Sequence, residues 1–397
     1  MVRRTLHTRL VALAKKYPIV TVTGPRQSGK TTLCRAAFPR KQYVSLENDD
    51  TRDYARQDPR GFLSDLAEGA ILDEIQRVPS LFSYLQTEVD ERPRAGRFVL
   101  TGSANLSLLQ SVSQTLTGRT ALLTLLPLAH EEIRRFPESP SGVDETLWKG
   151  AYPRLFDRRL EPADWYPSYT STYVERDVRQ ILNIGDLIAF RTFLGLCAGR
   201  TGQLLNASAL GAEAGITHAT ARAWISVFEA SYVAWRLPAF HANVTKRLVK
   251  APKLHFFDSG LACHLLRIRR PEHLRAHPLR GALFESWVAS EIFKAWTNRG
   301  EIPPLYHYRD RKGGEVDLVL DRGHDLVAIE VKSGQTIASD SFAPLNAFTA
   351  LFEGGRQRRQ VRRVIVYCGE GRQNRSDVTV LPWSDVATFD WMGRPRT

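Results

Sequence analysis

Residues 19–38 read IVTVTGPRQSGKTTLCRAAF, and the order of residue types along them decides the fold. Ile19 to Thr23 is a continuous apolar and β-branched run, as expected of a strand buried on both faces. Gly24 to Thr31 matches G-x-x-x-x-G-K-[ST], and an apolar pattern of helical period follows. Strand, glycine-rich loop and helix in that order let backbone amides close around phosphate oxygens. Gly24 and Gly29 allow the tight backbone, while Pro25, Arg26, Gln27, Ser28 and Thr32 complete the expected binding stretch. Lys30 would neutralise the β and γ phosphates of ATP, and the Thr31 hydroxyl would join the shell of a Mg2+ ion.

Such an ion needs an acidic anchor at the end of a neighbouring strand. GAILDEIQ supplies it: the apolar run Ala70 to Leu72 ends in Asp73, a metal holder, followed by Glu74, which would orient or deprotonate the attacking water. RFVLTGSANLSLL is another buried strand, Phe98 to Thr101, ending at Gly102 and Ser103. Ser103 either senses the γ phosphate or caps the next helix. Arg119, just before a further strand, is a candidate arginine finger or an ordinary salt-bridged arginine.

GPRQSGKTT, YVSLEND, ILDEIQRVP, FVLTGSANLSLL, GRTALLTLLPLAHEE, GAYP and TYVERDVRQ, in this order, resemble the prokaryotic AAA+ ATPases that carry a carboxyl-terminal DUF4143 region. The resemblance runs from about residue 5 to about residue 370. It implies an AAA+ (ASCE) P-loop fold, assigns nucleotide binding to Gly24, Gly29, Lys30 and Thr31, and assigns hydrolysis to Asp73 and Glu74, with Ser103 and Arg119 as further candidates.

Residues 137–168, rich in proline, glycine and charge, are expected as a linker or hinge-like lid. Tyr169 to Asn183 has a helical pattern, with Tyr173, Val174, Val178, Ile181 and Leu182 on its apolar side. ASALGAEAGITHATARAWISVFEAS then reads as two helices about a Gly215 turn, the second beginning near Thr217 and burying Ala221, Trp224, Ile225 and Phe228. Two strand-like runs joined by a basic loop follow, completing the outline of a winged helix-turn-helix. Between His241 and Arg280 nine Lys or Arg face two Asp or Glu, so this segment contributes +7 of the chain's +13. DNA phosphates are the expected partner of such a surface, with a packing role as the alternative.

GALFESWVASEIFKAW is an amphipathic helix carrying Phe284, Val288, Ile292 and Ala295 at helical spacing, with Glu285 at the stripe's edge. LYHYRD, EVDLVL, LVAIEVK and RVIVYC read as four strands. Period two groups Val316, Leu318 and Leu320 on one face, Asp317 on the other, and Glu330 with Lys332. A hairpin centred near Gly323 sets residue 317 across from 329 or 330. Helix, strand with Asp, and strand with Glu-x-Lys is the order of the PD-(D/E)xK nuclease-like fold, although Val316 stands where the name-giving proline would be. That resemblance implies metal binding by Asp317 and Glu330, activation of water by Lys332, and help from Glu285. A cleaving site, a DNA-binding or assembly module, and plain solvated strands all remain open.

The expected fold class is therefore multi-domain α/β: an AAA+ P-loop ATPase domain (1–136), a linker or lid (137–168), a helical and winged-helix segment (169–275), and a restriction-endonuclease-like domain (276–397). The 397 residues, 43% hydrophobic and 24% charged, suit a soluble globular chain. Cys34, Cys197, Cys263 and Cys368 lack metal or disulfide spacing, which fits a reducing cytoplasm. TALLTLLPLA is too short to span a bilayer, so no membrane association is expected. The functional expectation is an ATP-hydrolysing AAA+ protein that acts on DNA, at branched or damaged structures, with a metal-dependent nuclease module. A homo-oligomer would supply an arginine between subunits. The alternative is a nucleotide-operated regulatory switch whose carboxyl-terminal domain binds a protein partner without cleaving DNA.

Overall fold

Strand β1 (Ile19–Thr23) is buried along its whole length and lies inside a parallel five-stranded sheet of order β2-β3-β4-β1-β5. The others are β2 (Gln42–Ser45), β3 (Ala70–Asp73), β4 (Phe98–Thr101) and β5 (Thr120–Thr124). The computed structural model describes residues 2–102, 114–174, 186–241, 251–310, 313–353, 358–375 and 377–393. β4 lies between β1 and β3, so the glycine-rich loop and Asp73 leave the same carboxyl edge of the sheet, separated by one strand. In open parallel sheets this edge is where ligands sit.

Residues 137–168 are not a bare connector. They form the helices Val143–Lys149, Arg154–Asp157 and Pro162–Tyr169, and Leu147, Tyr152, Leu155, Trp165 and Tyr166 are buried. Pro162 marks a helix start, where its missing N–H costs nothing, so the proline content misleads. Of the expected helix 169–183, residues 175–183 lie outside the described residues. Helices Ala207–Glu213 and His218–Ala230 meet at Gly215, whose φ of 70° suits glycine. Thr217 caps the second helix by accepting from the Thr220 amide at 3.1 Å. Ala221, Trp224, Ile225 and Phe228 are buried as expected. A small antiparallel sheet, β6-β8-β7, brackets these helices in the chain: β6 (Gln203–Leu204) precedes them, and β7 (Ala234–Leu237) and β8 (Lys253–Phe256) follow. The basic loop between β7 and β8 falls largely on residues 242–250, outside the described residues.

The carboxyl-terminal sheet has six strands rather than four. Its order is β13-β14-β12-β11-β10-β9, from β9 (Leu305–Arg309), β10 (Glu315–Asp321), β11 (Asp325–Lys332), β12 (Gln360–Tyr367), β13 (Gln373–Arg375) and β14 (Val378–Pro382). β10 and β11 form the expected hairpin, with Leu318 opposite Ile329 and Leu320 opposite Val327; continued by one residue, this register sets Asp317 against Glu330. The expected face of Val316, Leu318 and Leu320 is corrected. The β9 pairing slips between Val316 and Val319, so Val316 joins Val319 in one apolar cluster while Leu318 and Leu320 join another. A bulge of this kind breaks the two-residue period and re-aims the residues inside it, here Asp317.

Buried polar contacts tie the helix Arg280–Thr297 to the chain that follows β5. On helix Arg280–Thr297, Glu291 and Lys294 form a fully buried pair; Lys294 donates to the Leu128 carbonyl at 2.9 Å and Glu291 accepts from the His130 amide at 2.8 Å. His130 stands among Trp287 and Trp383, and burial, with the nearby charges of Arg134 and Lys294, lowers its pKa to about 4. The unfolded chain takes this proton near pH 6.5 and the folded chain only near 4, so stability falls as pH drops through that window. His130→Phe should remove up to about 1.4 kcal/mol of that loss per pH unit. Urea unfolding of both proteins at pH 7 and 5 measures it, and parallel losses would contradict the assignment.

Candidate functional site

The glycine-rich loop closes tightly on β5. Gly24 has φ 146°, and a Cβ there would collide with the carbonyl oxygen of Leu125. Gly29, at φ 92°, caps helix Lys30–Ala37 from the left-handed region. Lys30 is buried, and its ammonium donates to the carbonyls of Gly24 at 3.1 Å and Pro25 at 2.8 Å. The cation is thus held inside the loop that would receive phosphates. Thr32 is exposed on the first helical turn.

Asp73 is buried where three strands converge. Its carboxylate accepts from Thr31 Oγ1 at 3.0 and 3.2 Å, from Tyr43 Oη at 2.7 Å, and from Thr101 Oγ1. Burial, and then the bond to Asp73, push the Tyr43 phenol up to about 12, so it stays a donor. A hydroxyl and a carboxylate in mutual reach are hard oxygen groups of the kind Mg2+ takes, so Thr31 and Asp73 fit that ion. Glu74 has φ 56°, an uncommon conformation for a side chain of its size, which turns the chain sharply at the end of β3. Its carboxylate accepts from the Gln76 amide.

Ser103 lies outside the described residues. Arg119 is not brought to the loop: its backbone carbonyl accepts from the Ile19 amide at the opposite end of β1, and its guanidinium grips Asp90 at 2.6 and 2.7 Å.

Sequence reading missed the group behind the loop. Arg4 is buried and donates to the carbonyls of Ser28 at 2.7 Å and Leu126 at 2.8 Å, and to Glu132 at 3.0 Å. Glu132 also accepts from the amides of Thr5 at 2.6 Å and Ala129 at 2.9 Å. Burial would raise this carboxyl, but Arg4 and those amides hold it below the usual range. The middle segment reaches the loop from outside. Trp165 Nε1 donates to Gln27 Oε1 at 3.3 Å, and Tyr232 Oη lies 3.4 Å from Thr23 Oγ1 and 3.2 Å from Thr124 Oγ1.

The second site lies on the carboxyl-terminal sheet. Asp317 accepts from the Val331 amide at 2.8 Å, and Lys332 donates to Glu330 Oε1 at 2.7 Å. Glu285, however, is paired with a residue that the sequence reading only counted among the nine cations of 241–280: Lys253 of β8, only 3% exposed, lies 2.9 Å from Glu285 and 2.8 Å from Glu315. Burial and then Asp317 push the Glu285 carboxyl up to about 8 and that of Glu330 up to about 7. Burial alone would lower the Lys253 pKa, but Glu285 and Asp317 outweigh it and hold the ammonium charged.

Models of known families cover most of the chain. One described as an AAA domain matches residues 16–134, one of unknown function (DUF8612) residues 141–272, and DUF4143, also of unknown function, residues 280–386. Uncharacterized proteins of Mycobacterium tuberculosis and Mycobacterium bovis are each 30% identical over 390 residues, which are 97% of this chain and 85% of theirs. The chain belongs to the prokaryotic AAA+ ATPases with a DUF4143 region. This ATPase also resembles solved structures distantly. A Walker-type ATPase of Pyrococcus abyssi is 15% identical, over 66% of this chain and 95% of that one, with a TM-score of 0.44. RuvB of Thermotoga maritima is 16% identical, over 58% and 87%, with a TM-score of 0.31. Among the described residues of the ATPase, no helix is long and apolar enough to cross a membrane.

Proposed function

We propose that this ATPase uses Mg2+-dependent ATP hydrolysis to act on DNA through its middle segment, read as a winged helix-turn-helix. Asp73 and Thr31 would hold the ion, Lys30 the β and γ phosphates, and Glu74 the attacking water. The contacts of Trp165 with Gln27, and of Tyr232 with Thr23 and Thr124, carry the reading: the first joins the glycine-rich loop to residues 137–168, and the second joins the ends of β1 and β5 to the segment that bears the basic run. Of the nine cations between 241 and 280, Arg267, Arg269, Arg270 and Arg275 are exposed, whereas Lys253 and Arg280 are held by carboxylates. Exposed guanidinium groups would gain from phosphate contact by releasing counterions. A homo-oligomer, with an arginine offered from one subunit to the next, is part of this proposal.

ATP turnover measured with and without double-stranded, single-stranded and branched DNA, over a series of salt concentrations, tests it. Stimulation that weakens as salt rises is expected. Unchanged turnover and no salt-dependent DNA binding would overturn it.

The second reading is a nucleotide-operated switch whose carboxyl-terminal domain, nuclease-like in its order of helix and strands, binds a protein without cutting DNA. One observation favours it over a nuclease: a lysine ammonium is paired with Glu285, one of the carboxylates that cleavage would give to a metal.

A further inference from the structure

The carboxylates expected to bind metal on the carboxyl-terminal sheet do not fit that role as arranged. Among the described residues no group of three or more His, Cys, Asp or Glu side chains is set to hold a metal ion. Lys253 lies within 3 Å of two carboxylates from two different elements, Glu285 of helix Arg280–Thr297 and Glu315 of β10. Glu330 is 5% exposed, and its Oε2 has no hydrogen-bond partner among the described residues although Oε1 accepts from Lys332. A buried carboxylate oxygen without a donor is costly unless positive charge lies nearby.

We propose that Lys253 is the resident cation of this cluster, standing in for a divalent ion and keeping the site closed to metal for as long as β8 stays docked. The lysine does not belong to the sheet it serves. Its backbone pairs with Leu204 of β6 and Leu237 of β7, so its ammonium leaves the cluster only if the small sheet shifts or the side chain breaks both ion pairs. The cluster therefore reports where the middle segment stands. A divalent ion and the lysine compete for Glu285, and within one cluster each excludes the other by charge. The inference holds whether or not the ATPase acts on DNA.

Mn2+ binding to the nucleotide-free full chain, followed by the electron paramagnetic resonance of the free ion, tests it. Lys253→Met should bind Mn2+ about tenfold or more tightly than the wild type. Lys253→Arg should behave as the wild type, and Lys253→Met with Asp317→Asn should lose the gain. Should Lys253→Met fail to fold by circular dichroism, Glu315→Gln decides. Removing a carboxylate from a plain acidic patch weakens Mn2+ binding, whereas loosening the hold on Lys253 strengthens it. A wild type that binds as tightly as folded Lys253→Met, or a Glu315→Gln protein that binds more weakly, overturns the proposal.

Discussion

Glu74→Gln leaves ATP binding intact and lowers its hydrolysis by about 10²–10⁴-fold, the usual range for a positioned acid–base group. The two neighbouring acids do different work. Asp73 is saturated by hydroxyl donors from Thr31, Tyr43 and Thr101, which hold a carboxylate but offer no path for a proton from water. Glu74 begins the turn after β3, and its carboxylate accepts from the neighbouring Gln76 amide rather than from the hydroxyls that surround Asp73. Glutamine keeps the shape and the acceptor oxygen while removing the basicity. Phosphate release at saturating ATP, beside the affinity for a fluorescent nucleotide, separates the two effects. Turnover that survives the substitution would move the base elsewhere.

Arg4→Met destabilises the protein by about 3–5 kcal/mol, because it leaves Glu132 charged and buried without its partner. The loss is more than a salt bridge. The guanidinium donates to Ser28 in the loop and to Leu126 beyond β5, so the wall behind the phosphates loses its brace. The double substitution Arg4→Met, Glu132→Gln should recover part of the loss, since the stranded charge goes with it. Urea unfolding of the single and double variants measures both. A cost below about 1 kcal/mol, the scale of an exposed pair, would show that the contact is dispensable.

The loop, Asp73 with Glu74, the hairpin register and the buried stripe of helix His218–Ala230 were legible because each rests on local spacing or strict periodicity. Arg4 was not, since its partner Glu132 stands far along the chain and no local pattern marks a basic residue near an amino terminus as buried. Lys253 escaped for a related reason: it opens a short apolar strand beside a basic run, and composition alone groups it with solvent-facing cations. The bulge at Asp317 was invisible because it arises from the β9 pairing, not from the sequence of β10. Glu291 and Lys294 sit on the buried side of their helix, where an apolar stripe gives no hint of a charge pair.

One apolar core runs through most of the molecule, from Leu126 and Leu128 after the nucleotide sheet, through Trp224 and Phe256, to Leu318, Val364 and Trp391. The boundaries that sequence composition suggests are therefore not lines along which the chain can be cut. A fragment ending before helix Arg280–Thr297 would strip cover from Leu128 and Ile133 and strand the His130 amide that Glu291 accepts. Subcloning the carboxyl-terminal region alone would face the same exposed surface from the other side, and its insolubility would report on the missing neighbour rather than on the fold.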